Sequence, residues 1–308
     1  MHAAKTYIAH TEVTTMNTVA IDMDGTLLHS EGFVSQENAQ ALKTLQAQGH
    51  KVVIATGRGH KDVNRLLQAV NITPDGIVSL NGARVFWKGK LIHESHMDRD
   101  DAVHLAEWLT DRQYYFHVYT NHGMYSPSRS WEFFMNDLDI YTQDKEGGEE
   151  IKEAIRRKAD GHHRQAHMNE LHSAEMIRED DLTVYKFLIV SMLEEKLAVC
   201  RKTWGDKPSM LITSSGRDNL EIMHPHTQKG KGLLHLLKHA DLDLSTTFAI
   251  GDNYNDLPLF NAAAVSIAMG NAESDVKHVA THETTNHDNH GVAEAIHHII
   301  LRSTAHNT

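Results

Sequence analysis

Cysteine, basic residues and long apolar runs are all scarce in this chain, and each shortage closes a class of function. Cys200 is the single cysteine among 308 residues. That excludes an intramolecular disulfide and a four-thiolate zinc site, and it fits a reducing compartment. Lys and Arg number 30 against 41 Asp and Glu, a formal net charge of −11. A balance of that sign argues against a nucleic-acid backbone or an anionic membrane as the main partner. An anionic substrate then needs a metal, or a local Lys or Arg, to receive it. The longest apolar stretches, such as Phe187 to Val190, are far too short to cross a bilayer. Residues 1–16 hold no apolar segment of signal-peptide length. They read as a flexible extension, with Met16 an alternative start, and the chain is expected in the cytoplasm. There is no repeat of solenoid period and no low-complexity linker.

What is present suffices for a folded protein. Hydrophobic residues make up 40% and charged residues 23% of a 34.7 kDa chain, a composition of ordinary globular proteins and a size that suggests two domains. The 25 histidines cluster at Gly161–His167 and His287–His290. Neither cluster offers a pair four apart on a helix with a third partner, so both read as solvated surface rather than metal sites.

From residue 17 to 83 short apolar strands alternate with amphipathic helices. Val19–Ile21 is followed by a helix that Ser35 caps and Gly49 stops. Lys51–Thr56 is the next strand, then a helix carrying Val63, Leu66, Leu67 and Val70, then Ile77–Leu80. This is the pattern of a parallel sheet covered on both faces. After Ala83 the texture changes to a hairpin around Lys88–Lys90 and then to helices with half-polar strands as far as Met223, which reads as an inserted α+β domain over 84–223. The parallel pattern returns with a helix (Leu233–Leu237), Thr246–Asp252, Val265–Met269 and a last helix (Gly291–Leu301). The first domain is therefore expected to be discontinuous, 17–83 with 224–301.

The stretch VAIDMDGTLL, Val19–Leu28, begins as a buried strand and places two carboxylates, Asp22 and Asp24, at its end. Two such anions about 4 Å apart repel by roughly 1 kcal/mol in water and roughly 4 kcal/mol at an effective dielectric of 20, which a divalent cation would offset. Three further sites fall at strand ends or a helix start: TGR (Thr56–Arg58), Lys229 in TQKGKG, and GDNYND (Gly251–Asp256). Singly, Asp24 or Asp256 reads as a turn or cap residue, Lys229 as a solvated lysine and Thr56 as a strand end. Together they converge on one edge of a parallel sheet, where ligands bind.

The ordered set DMDGTLL, TGR, KG and GDNYND, with a large insert before the lysine, resembles the haloacid dehalogenase (HAD) superfamily of aspartate-nucleophile phosphatases, and within it the Cof-type hydrolases. The likeness runs from about 17 to 301 and includes AMGNA (Ala268–Ala272) and DNHGVAEAI (Asp288–Ile296). HPHTQKG before Lys229 departs from the small, glycine-containing turn common there. The resemblance implies an α/β fold, a doubly wound parallel-sheet core with an inserted α+β cap. It also implies Mg²⁺-dependent hydrolysis of small phosphorylated metabolites, sugar phosphates first, through an aspartyl-phosphate. Asp22 is then the nucleophile and Asp24 the general acid and base. Mg²⁺ is held by the Asp22 and Asp252 carboxylates and the Asp24 backbone carbonyl. Thr56, Gly57, Lys229 and Asn255 hold the phosphate, and Asp256 and Arg58 support the site. The rival readings are a phosphomutase and a regulatory or stress-related binding protein with little turnover; the aromatic residues Tyr114, Tyr115 and Phe116 are expected to pack a core.

Overall fold

The computed structural model describes residues 16–165 and 168–302. The expected extension, apart from Met16, and the side chains of the Gly161–His167 cluster lie outside that description. In chain order the first strands are β1 (Thr18–Ile21), β2 (Lys51–Ala55), β3 (Gly76–Ser79), β4 (Arg84–Trp87) and β5 (Lys90–Glu94). There follow β6 (Tyr115–Thr120), β7 (Gly123–Pro127), β8 (Met168–Leu171), β9 (Val184–Val190), β10 (Leu211–Thr213) and β11 (Asn219–Met223). The chain closes with β12 (Thr247–Gly251), β13 (Val265–Ala268) and β14 (His282–Glu283). They form two sheets, ordered β14-β13-β12-β1-β2-β3-β4-β5 and β10-β11-β9-β6-β7-β8.

In the first sheet β14 to β3 run parallel, with Ile21 level with Ile250 of β12 and Ile54 of β2. Every residue of β1 is buried, because helices cover both faces of the sheet. Val19, Ile21, Val52 and Ile54 face a core completed by Leu42, Leu45 and Val63. Ala20, Val53 and Ala55 face the opposite core, with Leu233 and Leu236 of the helix Lys229–Ala240. Alternate residues of each strand thus serve opposite layers, as the period of two requires. The helix expected after Ser35 spans Gln36–Ala47, and the Ser35 hydroxyl accepts from Asn38 N at 3.2 Å. Gly49 ends the turn behind it at φ +85°.

The hairpin of β4 and β5 corrects the expectation that the insert begins at residue 84. Both strands extend the first sheet, antiparallel to β3 and to each other, so the chain leaves that sheet only after Glu94. Trp87 consequently packs in the first layer system. The second sheet is antiparallel except where β7 and β8 pair, and carries its own core of Leu105, Phe116, Phe187, Ile189 and Trp204. Tyr114 and Phe116 lie in that core and Tyr115 packs with Phe134 and Leu138 on the other face. Cys200 is buried and free. Among the described residues no helix is long and apolar enough to cross a membrane.

Candidate active site

The level ends of β1, β2 and β12 place Asp22, Thr56 and Asp252 along one edge of the first sheet. After Asp22 the chain turns through Met23–Leu27, and Leu28 N returns to Met23 O at 2.9 Å. Gly25 makes this turn at φ +77°, and a Cβ there would come within 2.4 Å of Asp252 Oδ2. Glycine is thus required twice, for the left-handed backbone and for the approach of the second carboxylate. Thr26 Oγ1 donates to Asp252 Oδ1 at 2.8 Å and fixes that carboxylate against the turn. A Cβ on Gly251 would strike Asp256 Cγ at 2.6 Å, so this glycine admits Asp256 beneath the strand end. There Asp256 Oδ2 accepts from the backbone N–H groups of Asp252 at 3.0 Å and Asn253 at 3.1 Å.

Lys229, the first residue of its helix, lies at the centre of these acids. Its Nζ donates to Asp22 Oδ1 at 2.7 Å and to Asp256 Oδ1 at 2.6 Å, and all three residues are buried. Burial opposes the charge on Lys229, but Asp22 and Asp256 hold its ammonium above the ordinary range. One ammonium does not balance three carboxylates. Burial first, and then the Asp256 carboxylate, push Asp22 well above the usual carboxylate range against the pull of Lys229. The same two causes push Asp252 up to about 7. The cluster therefore carries uncompensated negative charge in a desolvated place, a cost that a bound cation would relieve.

Asp22, Asp252 and Asp256 each offer a carboxylate oxygen, and the three oxygens lie within 4.8 Å of one another. An all-oxygen donor set of this charge suits a hard divalent ion. Asp256 was expected only to support the site; the geometry puts its carboxylate in the same cluster, already engaged by Lys229.

The Asp24 carboxylate lies elsewhere. It is the more exposed of the pair, and Arg58 grips it with two hydrogen bonds of 2.7 Å, Nε to Oδ2 and Nη2 to Oδ1. Arg58 Nη1 also donates to Asp62 at 2.5 Å. Thr56 is buried and its Oγ1 accepts from Arg58 N at 3.2 Å. Asn255 follows Tyr254, and its buried Oδ1 has no hydrogen-bond partner.

Three residues at this edge escaped the sequence reading. Lys186 of β9 donates from Nζ to Gly57 O at 2.8 Å and to Glu221 Oε1 of β11 at 2.7 Å, and Asn81 Nδ2 donates to Glu221 Oε2 at 2.5 Å. The available signal was a charged residue inside the apolar runs VYKFLIV and NLEIM, which also describes an ordinary solvent-facing position. Their burial comes from the second sheet lying against the Thr56–Arg58 loop, a tertiary contact invisible in either strand alone.

Comparison with known proteins agrees with this geometry. Residues 19–296 match the family model of the haloacid dehalogenase-like hydrolases. Phosphatase YwpJ of Bacillus subtilis is 32% identical over 92% of this chain and 100% of its own length. A second B. subtilis protein, the 5-amino-6-(5-phospho-D-ribitylamino)uracil phosphatase YwtE, is 31% identical over 90% of this chain and 96% of its own. A solved haloacid dehalogenase-like hydrolase from B. subtilis superposes with a TM-score of 0.80 at 32% identity, covering 92% of this chain and 100% of the other. With the carboxylate cluster at the ends of β1 and β12 and the family matched over nearly its whole length, the chain belongs to the haloacid dehalogenase-like hydrolases, as a phosphatase of the Cof type.

Proposed function

We propose that this protein is a Mg²⁺-dependent phosphomonoesterase acting on small phosphorylated metabolites, with sugar and sugar-alcohol phosphates foremost, through an aspartyl-phosphate on Asp22. The observation that carries the reading is the cluster of Asp22, Asp252 and Asp256 at one sheet edge, with Lys229 bonded to Asp22 and Asp256. Lys229 holds Asp22 Oδ1, which leaves Oδ2 as the oxygen to attack phosphorus. The Asp22 and Asp252 carboxylates and the Asp24 carbonyl would hold Mg²⁺, whose positive charge would let Asp22 stay ionised and offset its repulsion with the phosphate. Lys229, the Thr56 hydroxyl and the Asn255 amide receive the phosphoryl oxygens, where charge develops during transfer.

Asp24 serves as general acid toward the leaving oxygen and then as general base toward water. To do so its carboxylate turns one oxygen to the leaving group while Arg58 keeps hold of the other, a tightening of the kind expected between a free and a substrate-bound site. Residues 17–94 and 224–301 form the catalytic core, and the residues of the second sheet form the cap that excludes water and bulky substrates. The relative named for a phosphoribityl substrate supports a hydroxyl-rich leaving group, and the chain's net charge of −11 supports a small metabolite over a nucleic acid.

The test is phosphate release across a panel of phosphorylated metabolites with and without Mg²⁺. Mg²⁺-dependent release from small hydroxylated esters, with free phosphate rather than an isomerised ester as product, is expected. Full activity after exhaustive chelation, or preference for phosphoproteins, contradicts the proposal.

A further inference from the structure

Lys186 and Glu221 come from neighbouring strands of the second sheet, where Lys186 lies level with Met223. Their side chains are only 2% and 4% exposed. Burying a charge pair costs several kcal/mol per ion unless the geometry is good and the remaining positions are satisfied. The pair is moreover not buried inside the second sheet's own core but pressed on the loop that carries Thr56 and Gly57. Asn81 completes the group from the first sheet; its N–H donates to Thr56 O at 2.9 Å, and Leu80 N donates to Arg58 O at 3.0 Å. A Cβ placed on Gly57 would meet Asn81 Oδ1 at 3.2 Å, and Glu221 Oε1 and Lys186 Nζ each at 3.4 Å. Three polar atoms thus converge on one spot beside the phosphate loop, packed against Gly57 so closely that a side chain at residue 57 would crowd them. Asn81 is 2% exposed, and its Oδ1 has no hydrogen-bond partner. A buried amide oxygen left unmatched is costly, and a donor arriving with a ligand would recover that cost.

We propose that Lys186, Glu221 and Asn81 are specificity-determining residues that bind hydroxyl groups of the leaving group. A hydroxyl can donate to Glu221 or to Asn81 Oδ1 while accepting from Lys186, so it matches a donor and two acceptors set side by side. The Lys186 and Glu221 charges cancel, which selects an uncharged polyhydroxylated segment next to the ester and disfavours a second phosphate or a carboxylate there. When the site is empty the two side chains satisfy one another and Gly57 O; a bound polyol replaces part of that network. The inference rests on the proposed action on small hydroxylated phosphate esters and adds the residues that read them.

The experiment compares the intact wild type with Glu221→Gln and with the double variant Lys186→Met/Glu221→Leu, which removes both charges together and avoids stranding one. Each is assayed with Mg²⁺ on sugar and sugar-alcohol monophosphates and on nitrophenyl phosphate. The double variant should lose at least about 30-fold in kcat/KM on the best hydroxylated substrate, mainly through KM, and change by less than about threefold on the aryl ester. Glu221→Gln, which keeps the volume and an oxygen to accept from Lys186, should shift the same ratio in the same direction and decides the matter if the double variant does not fold. Equal losses on both substrate classes indicate a purely structural pair and overturn the proposal, as does an unchanged ratio. A wild type that releases phosphate from no ester defeats the functional reading instead. Thermal shifts by the dephosphorylated sugars and sugar alcohols then judge the subsite alone, which stands if wild type responds and Glu221→Gln does not, and falls otherwise.

Discussion

Arg58 shows how a single residue can matter to rate while contributing little to stability. Its guanidinium grips Asp24 through both nitrogens at 2.7 Å, yet the Asp24 side chain is 59% exposed. Exposed pairs of this kind contribute about 0–1 kcal/mol to folding, whereas fixing the orientation of a general acid bears directly on the reacting geometry. Arg58→Met is therefore expected to leave urea stability within about 1 kcal/mol of wild type and to lower kcat by roughly 10- to 100-fold with a smaller change in KM. Steady-state kinetics beside an unfolding curve check this; unchanged kcat would show that Arg58 only shapes the loop. At this scale the proposed catalytic set was legible in the sequence because Asp22 and Asp252 follow recognisable strand ends and Lys229 opens a helix. Lys186 and Glu221 were not, since a charged residue in an alternating strand signals solvent unless a neighbouring layer is known to cover it.

Among the elements, the parallel strands were legible for a physical reason: burial on both faces writes them as continuous apolar runs, as in KVVIA of β2. The β4–β5 hairpin misled because β5 is an edge strand with mostly half-exposed or exposed residues, and its polar texture resembles that of an inserted domain. The helix Gln36–Ala47 offers a clean test of local coding. Ser35 Oγ satisfies the otherwise unpaired Asn38 N–H, and the helix packs Leu42 and Leu45 under β1. Ser35→Ala should cost about 1 kcal/mol of unfolding free energy, read from denaturant midpoints. The helix start lies at the same sheet edge as the site, where Asn38 Nδ2 donates to Leu27 O at 3.2 Å, but Ser35 touches none of the clustered carboxylates, so kcat/KM should stay within about twofold of wild type. A loss of activity much larger than the loss of stability would mean that this helix end takes part in the chemistry.

For the whole molecule, the carboxylate cluster links metal, protons and stability. Burial and the Asp256 carboxylate hold Asp252 at about 7, against an ordinary value of 3.8. A group raised on folding favours the native state at low pH, and that contribution is lost as pH climbs through the folded value. The metal-free protein should thus lose stability from this group between about pH 4 and 7, with no further loss once the group is ionised in both states. If Mg²⁺ binds as proposed, it takes the place of the proton, and its stabilising effect should grow from about pH 5.5 to pH 8, reaching about 2.7 kcal/mol at a hundredfold excess over Kd. Thermal melts with and without Mg²⁺ at the two pH values check the trend, and Asp252→Ala should abolish most of the difference. A shift that is absent, or larger at the acid end, contradicts the assignment of these acids to a metal.

The proposed reaction depends on the phosphoryl group passing through Asp22. The most direct measurement is a rapid quench of the enzyme turning over a good phosphate ester with Mg²⁺, followed by peptide mass spectrometry of the wild type and Asp22→Asn. The account predicts an acyl-phosphate on the peptide that carries Asp22 in the wild type. It predicts none in Asp22→Asn, whose turnover should fall by at least about 10³-fold while its fold is retained. Near-normal phosphate release by Asp22→Asn, or a phosphoryl group trapped on a different residue, would contradict it.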